Sequence, residues 1–306
     1  VNWGIIKDPK DFEKPCELEV RGLDALLSYQ DYPVKAAEIA TKEHRPLGVG
    51  IINLAYWLAK NDLKYSDSTA LAKVDEYMEA MSYYLIKASV DLAKEFGPCG
   101  KLSDTKYSKG IVPIDTRKKE IDELVPYVER MPWQDLREEL KQFGIRNATL
   151  MAIMPAETSA QIANATNGIE PPRSLISVKQ SKHGVLKQVV PEFRKLKNKY
   201  ELLWDQKSPE GYLKIVAVLQ KYIDQSISTN TSYNPQFYED EKIPMSEMIG
   251  HLLMCYKYGI KTLYYFNVND GQGEINVQKF VEEKPEFSVK NMQLLEDEAN
   301  CESCTI

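Results

Sequence analysis

The sequence predicts an α/β protein with a largely parallel sheet or barrel portion, and three observations predict it. Stretches with helical apolar spacing alternate with single short apolar runs, the pattern of crossover helices between parallel strands. One of those runs, residues 148–154, is apolar but for Thr149 and bounded by Pro155, as a strand buried on both faces is. The chain is 306 residues long with 43% apolar and 27% charged residues, the composition of a globular protein with a sizeable core.

Each element follows from local pattern. Residues 17–30 read as a helix because Val20, Leu23 and Leu27 share one face, and Pro33 forbids its continuation. Residues 45–52 read as a strand feeding a helix over 53–60. A long helix is expected over 68–96, with Val74, Met78, Met81, Leu85 and Leu92 on its apolar face and Gly97-Pro98 as its stop. Residues 100–117 read as loop with a short strand at 110–114. A helix over 133–143 lies between Pro132 and Gly144. After the buried strand 148–154 comes a short helical stretch, 157–163. Residues 175–178 and 185–190 read as strands joined through Lys182-His183-Gly184. Ser208-Pro209 starts a helix that is expected to run to 228. A further helix spans 245–258, closed by Gly259, and 260–266 is a strand. Beyond Asn267 the apolar content falls, and residues 268–306 are expected to form a mobile tail.

Charge and cysteine usage exclude several classes of function. A net charge of -6 is poor for non-specific nucleic-acid binding, because a phosphate backbone demands surplus Lys and Arg. No apolar run approaches the roughly 20 residues of a bilayer span, so no membrane partner is expected. Val1-Asn2-Trp3-Gly4 shows no secretory signal. Of the five cysteines, Cys16, Cys99 and Cys255 stand alone and only Cys301 and Cys304 are close together. With three histidines and no His-Cys cluster, neither a metal site nor a cofactor-binding site is expected, and the pattern suits a reducing cytoplasm.

Four features bear chemistry. Cys301-Glu-Ser-Cys304 offers two thiols that can close and exchange a disulfide, on a tether whose roughly 30 residues give it an r.m.s. reach on the order of 30 Å. The plainer alternative is an incidental terminal pair. The turn Pro155, Ala156, Glu157, Thr158 and Ser159 leads a buried strand into a helix start, where free amides and two hydroxyls suit an anion, although an ordinary helix cap reads the same way. Tyr264 and Tyr265 lie on a strand, where consecutive side chains point to opposite faces. Tyrosine pairs on strands are usually packing, and for these two to act together the chain must bend so that the rings meet. Residues 164–172 hold an Asn167-Gly168 turn followed by Pro171-Pro172, read as a structural loop. Gly48-Val-Gly50 is only a fragment of a dinucleotide fingerprint. His44, His183 and His251 show no partners, and Cys255 falls at core spacing.

The order of these features carries a resemblance. Leu23-Asp-Ala-Leu-Leu27, Tyr29-Gln-Asp-Tyr-Pro33, Asn164-Ala-Thr-Asn-Gly-Ile-Glu-Pro-Pro172, Tyr222-Ile-Asp-Gln-Ser-Ile-Ser228 and Lys261-Thr-Leu-Tyr-Tyr265 resemble the C-terminal half of the class I ribonucleotide reductase large subunit, in its enterobacterial and phage version. The likeness runs from about Asn2 to the last residue. It implies the second half of a ten-stranded α/β barrel, built of two five-stranded half-barrels, over residues 1–267, with packed helices and the flexible tail 268–306. It implies that residues 155–159 hold the phosphates of a ribonucleoside diphosphate. It implies that Tyr264 and Tyr265 relay a radical from a small subunit carrying a metal-tyrosyl radical. It implies that Cys301 and Cys304 re-reduce an active-site disulfide and are themselves reduced by thioredoxin or glutaredoxin.

The family's Asn-x-Cys-x-Glu loop and its active-site dithiol are absent from this sequence, and Cys16, Cys99 and Cys255 match neither. The thiyl-forming cysteine and most of the sites for the nucleotide effectors ATP and dNTP are therefore expected on an N-terminal partner. That makes this chain one half of a split large subunit, inactive alone, in a bacterial cytosol or an infected cell; a truncated piece is the plainer reading. The alternative of another class is a catalytically silent assembly protein that keeps the fold. An unrelated enzyme using the 155–159 turn for a phosphosugar lacks an acid-base pair nearby.

Overall fold

Short apolar runs that are too brief to stand alone must find backbone partners, and here they find one another in parallel. The computed structural model describes residues 1–181 and 184–271. Trp3 N–H donates to Ile52 and Ile52 N–H to Val1, tying the first residues to the 49–52 stretch. Val49 pairs with Met151, Ile153 with Ile227, and Thr229–Tyr233 with Leu263–Val268, all parallel. Five stretches thus lie side by side in chain order: residues 1–3, 47–52, 149–153, 225–233 and 263–268. The family likeness of an α/β architecture with a parallel array holds. No closed barrel is present among the described residues, and most of the ladder is held by isolated bridges.

Helices make the crossovers. The helices are α1 (Glu13–Tyr29), α2 (Lys35–His44), α3 (Leu54–Lys60), α4 (Ser68–Phe96), α5 (Trp133–Phe143), α6 (Glu157–Ile162), α7 (Phe193–Leu196), α8 (Glu210–Gln220) and α9 (Met245–Tyr258). The strands are β1 (Ile176–Ser181), β2 (Gly184–Val189), β3 (Thr229–Tyr233) and β4 (Leu263–Val268). α4 is the central post and packs on α1, α5 and α8. Val74, Met78, Met81, Leu85 and Leu92 are all buried, each gaining about 1.5–3 kcal/mol from leaving water. Two carboxylates inside the core are paired. Asp24 accepts from Arg45 Nε at 2.6 Å and from Asn147 Nδ2 at 3.0 Å. Glu79 binds Arg130 at 2.8 Å and Trp133 Nε1 at 3.0 Å.

The helices at 68–96, 133–143 and 245–258 match the sequence expectation to the residue. Other expectations need correcting. The strand at 110–114 does not form: Val112 N–H donates to the Asp115 side chain at 3.0 Å, and Pro113–Thr116 is a tight 3-10 turn. The helix from 208 stops at Gln220, because residues 225–228 are taken by the ladder through Gln225 N–H to Met151 and Ile153 N–H to Ser226. α1 begins at Glu13, with Pro15 in a first turn that needs no amide donor. α2 was not anticipated; it carries no buried residue, so its sequence shows no strong apolar stripe. β1 and β2 pair antiparallel; Lys182 and His183 between them lie outside the described residues. No helix among the described residues is long and apolar enough to cross a membrane.

Candidate functional site

The site is assembled at one end of the ladder from a turn, a loop and a bulge. The turn follows the third stretch: after Ile153 the chain leaves the sheet, passes Pro155 and enters α6. Ala160 N–H is the first amide to close on a helical carbonyl, that of Ala156, at 2.9 Å. The amides of Glu157, Thr158 and Ser159 therefore point out of the helix start, where α6's dipole is positive. Pro155, Glu157, Thr158 and Ser159 are exposed and Ala156 is partly covered. Ala156 N–H donates to Asn167 Oδ1 at 3.2 Å, so the loop shapes the turn.

The loop, residues 164–172, is itself anchored to the sheet. Asn53 stands at φ 72°, and its Oδ1 accepts from Thr166 N–H at 2.9 Å. Asn53 N–H donates to Thr166 O at 3.0 Å, and Leu54 N–H to Gly168 O at 3.3 Å. Gly168 takes φ 50°, as expected of an Asn-Gly turn. Gly50 serves close packing rather than a nucleotide: a Cβ there would lie 2.9 Å from Met154 Sδ and 3.1 Å from Ala152 O.

The bulge lies between β3 and β4. Thr229 pairs with Leu263 but Thr231 pairs with Phe266, so one residue, Asn230, faces two, Tyr264 and Tyr265. The extra residue breaks the strict alternation of sides. As a result the two rings meet, with centroids 4.1 Å apart and planes at 49°. The bend that joint action demands is present. Tyr265 N–H donates to Asn230 Oδ1 at 3.0 Å, and Asn230 Nδ2 donates to Glu170 Oε1 at 2.5 Å. Hydrogen bonding to Tyr265 raises the Tyr264 phenol above the ordinary tyrosine range. Burial pushes the Glu170 carboxyl up, against the pull of Asn230 and Arg173.

A cleft of about 410 Å³ joins the three parts, lined by Glu157 and Asn167, by Glu170 and Arg173, and by Asn230 and Asn267. Asn230 and Glu170 escaped sequence reading as site residues. Asn230 sits in a Ser/Thr/Asn run with no apolar alternation strong enough to mark β3, and Glu170 was read as part of a structural loop. Cys301 and Cys304 lie outside the described residues. Cys16, Cys99 and Cys255 are buried, and burial raises each thiol's pKa, making them poor thiolates. His251 is buried, with Nδ1 at 3.0 Å from Tyr233 Oη and Nε2 at 3.1 Å from Ser208 Oγ; His44 is half-buried, with Nδ1 at 3.0 Å from Ala40 O. His183 is outside the described residues.

A parallel α/β array with a helix-start turn, a tyrosine pair at a bulge and an intervening cleft defines a class of protein. The chain belongs to the ribonucleotide reductase barrel-domain family, whose model matches residues 6–266. Within that family it resembles the C-terminal part of class I large, or alpha, subunits. It is 52% identical over 274 residues to the ribonucleoside-diphosphate reductase subunit alpha of Haemophilus influenzae, covering 90% of this chain and 36% of that protein. It is 51% identical over 245 residues to the reductase 1 subunit alpha of Escherichia coli, covering 80% and 32%. It is 47% identical over 269 residues to the subunit alpha of Enterobacteria phage T4, covering 87% and 35%. The chain thus spans about a third of the length of these relatives.

Proposed function

We propose that this chain supplies the C-terminal part of the catalytic subunit of a class I ribonucleoside-diphosphate reductase. The observation that carries the reading is the contact of the Tyr264 and Tyr265 rings at 4.1 Å, in a chain whose relatives carry that enzyme's name. The described stretches up to β4 belong to the second half of a ten-stranded barrel. Pro155, Ala156, Glu157, Thr158 and Ser159 hold the substrate's phosphates through α6's outward amides and the two hydroxyls. Tyr264 and Tyr265 pass a radical, one electron and one proton at a time, between a radical-bearing small subunit and a cysteine on the N-terminal part of the large subunit. Cys301 and Cys304 return reducing equivalents from thioredoxin or glutaredoxin. The metal-tyrosyl radical belongs to the small subunit, and ATP and dNTP effectors act on the N-terminal part. The setting is the cytoplasm.

Contact between the rings keeps the transfer distance short. The test combines this chain with the N-terminal part and the small subunit and follows reduction of a ribonucleoside diphosphate. Tyr264→Phe and Tyr265→Phe each keep the ring and remove the O–H. Each is expected to abolish turnover while leaving thermal unfolding unchanged, and full activity in either refutes the relay.

A further inference from the structure

We propose that Asn230, held by Glu170, is the positioning residue that sets the Tyr264–Tyr265 ring contact, so that a loop carboxylate fixes the geometry of the relay. The inference rests on the relay reading above and adds to it two residues to which the pattern of cysteines, tyrosines and phosphate turn gives no role.

The argument begins with register. In a regular parallel ladder Tyr264 and Tyr265 point to opposite faces. They meet because β4 carries one residue more than β3 opposite Asn230. An unpaired bulge residue leaves backbone groups without ladder partners. Asn230 supplies the replacement: its Oδ1 takes the Tyr265 N–H at 3.0 Å, doing with a side chain what the ladder does elsewhere with a carbonyl. The bulge is therefore pinned at the residue whose ring must face Tyr264.

A primary amide can present either end, and only one fits. With Nδ2 towards Tyr265 N–H, two donors would collide. Glu170 decides the matter, since its Oε1 only accepts and takes the Nδ2 hydrogen at 2.5 Å. Glu170 sits in the loop that also caps Ala156 through Asn167. One loop thus touches the turn at 155–159 and the bulge at 264–265. Burial raises the Glu170 carboxyl's affinity for a proton, and the Asn230 hydrogen bond opposes that. The transfer itself is balanced: a phenoxyl on one ring takes one electron and one proton from the other, so that one phenol O–H is made and one is broken. A slip of the bulge separates the two oxygens and slows that exchange without touching substrate binding.

The test uses this chain combined with the rest of the large subunit and the small subunit. Asn230→Asp keeps the acceptor for Tyr265 N–H but sets two carboxyl groups against each other, and they cannot both ionise at that distance. Its kcat is expected to fall roughly ten- to a hundredfold near neutral pH, the scale of a 1 Å misplacement, with KM for the diphosphate unchanged. Activity should recover as pH is lowered and the pair takes up a proton, a trend the parent does not show. Combining Asn230→Asp with Glu170→Gln reverses donor and acceptor and is expected to restore kcat and remove the extra pH dependence. Hydrogen exchange at the Tyr265 amide should be faster in Asn230→Asp and slow again in the double variant. Parent-like kcat at every pH in Asn230→Asp overturns the inference, as does failure of the double variant to recover. Tyr264→Phe and Tyr265→Phe run alongside separate the two readings. If they lose turnover while Asn230→Asp does not, only the positioning role falls. If they keep turnover, the relay falls and the positioning role with it.

Discussion

Asp224 shows how a single side chain ties the ladder together. Its carboxylate accepts from Leu150 N–H at 2.8 Å, Met151 N–H at 2.9 Å, Gln225 N–H at 2.9 Å and Tyr107 Oη at 2.9 Å. Burial pushes its pKa up, and these four donors pull it back. Asp224→Asn would turn an amide nitrogen onto backbone donors. An unmet buried hydrogen bond costs about 2 kcal/mol, so we expect a melting temperature lower by roughly 5 °C for a chain of this size, checked by thermal unfolding. The residue lies in the Tyr222–Ser228 stretch that carries part of the family likeness, yet its role was not legible there. A run such as Ile-Asp-Gln says nothing about which amides 70 residues away need an acceptor. Asn230 is the same case: its side-chain partners come from two distant segments, and only the fold assembles them. By contrast, the Tyr264–Tyr265 pair and the 155–159 turn could be picked out as candidates, because each is a run of adjacent residues; that the two rings meet depends on the bulge opposite Asn230.

At the level of elements, legibility followed the strength of local signals. α4, α5 and α9 were read to the residue because each has an apolar face and a glycine or proline at its ends. Gly97 and Gly259 both take positive φ, at 82° and 85°. The stretches of the ladder were harder. Each contributes only a few bonded residues, and residues 225–228, just before β3, were read as the end of a helix although the ladder claims their backbone. The joint between α8, β3 and α9 makes a prediction of its own. His251 on α9 bridges Tyr233 and Ser208, and burial lowers its pKa below the ordinary 6.5 even though Glu247 and Glu210 pull the other way. The unfolded chain therefore binds the proton more readily. Stability is full above about 6.5, falls as pH drops through the interval down to the folded value, and levels off below it. His251→Gln is expected to flatten that slope, as read from melting temperature at a series of pH values.

For the whole molecule, the decisive fact is that the ladder is open. Among the described residues β4 is bonded on one side only, and Leu263, Tyr264, Tyr265 and Phe266 are 44–56% exposed. On α9, Leu252, Leu253 and Tyr256 are exposed as well. An uncovered edge beside apolar side chains is prone to association. We expect the chain alone to bind an apolar fluorescent dye and to sediment as more than one species at micromolar concentration. Addition of the N-terminal part of the subunit should lower both signals, and a monodisperse monomer with no dye binding would contradict the half-barrel reading.

The five parallel stretches lie in the sheet in the order in which they occur along the polypeptide. Each arriving segment therefore finds its docking edge already exposed by the one before it, and no later segment must be threaded between two earlier ones. Such a topology can be laid down strand by strand as a ribosome delivers it, with β4 and its tyrosines the last to be seated.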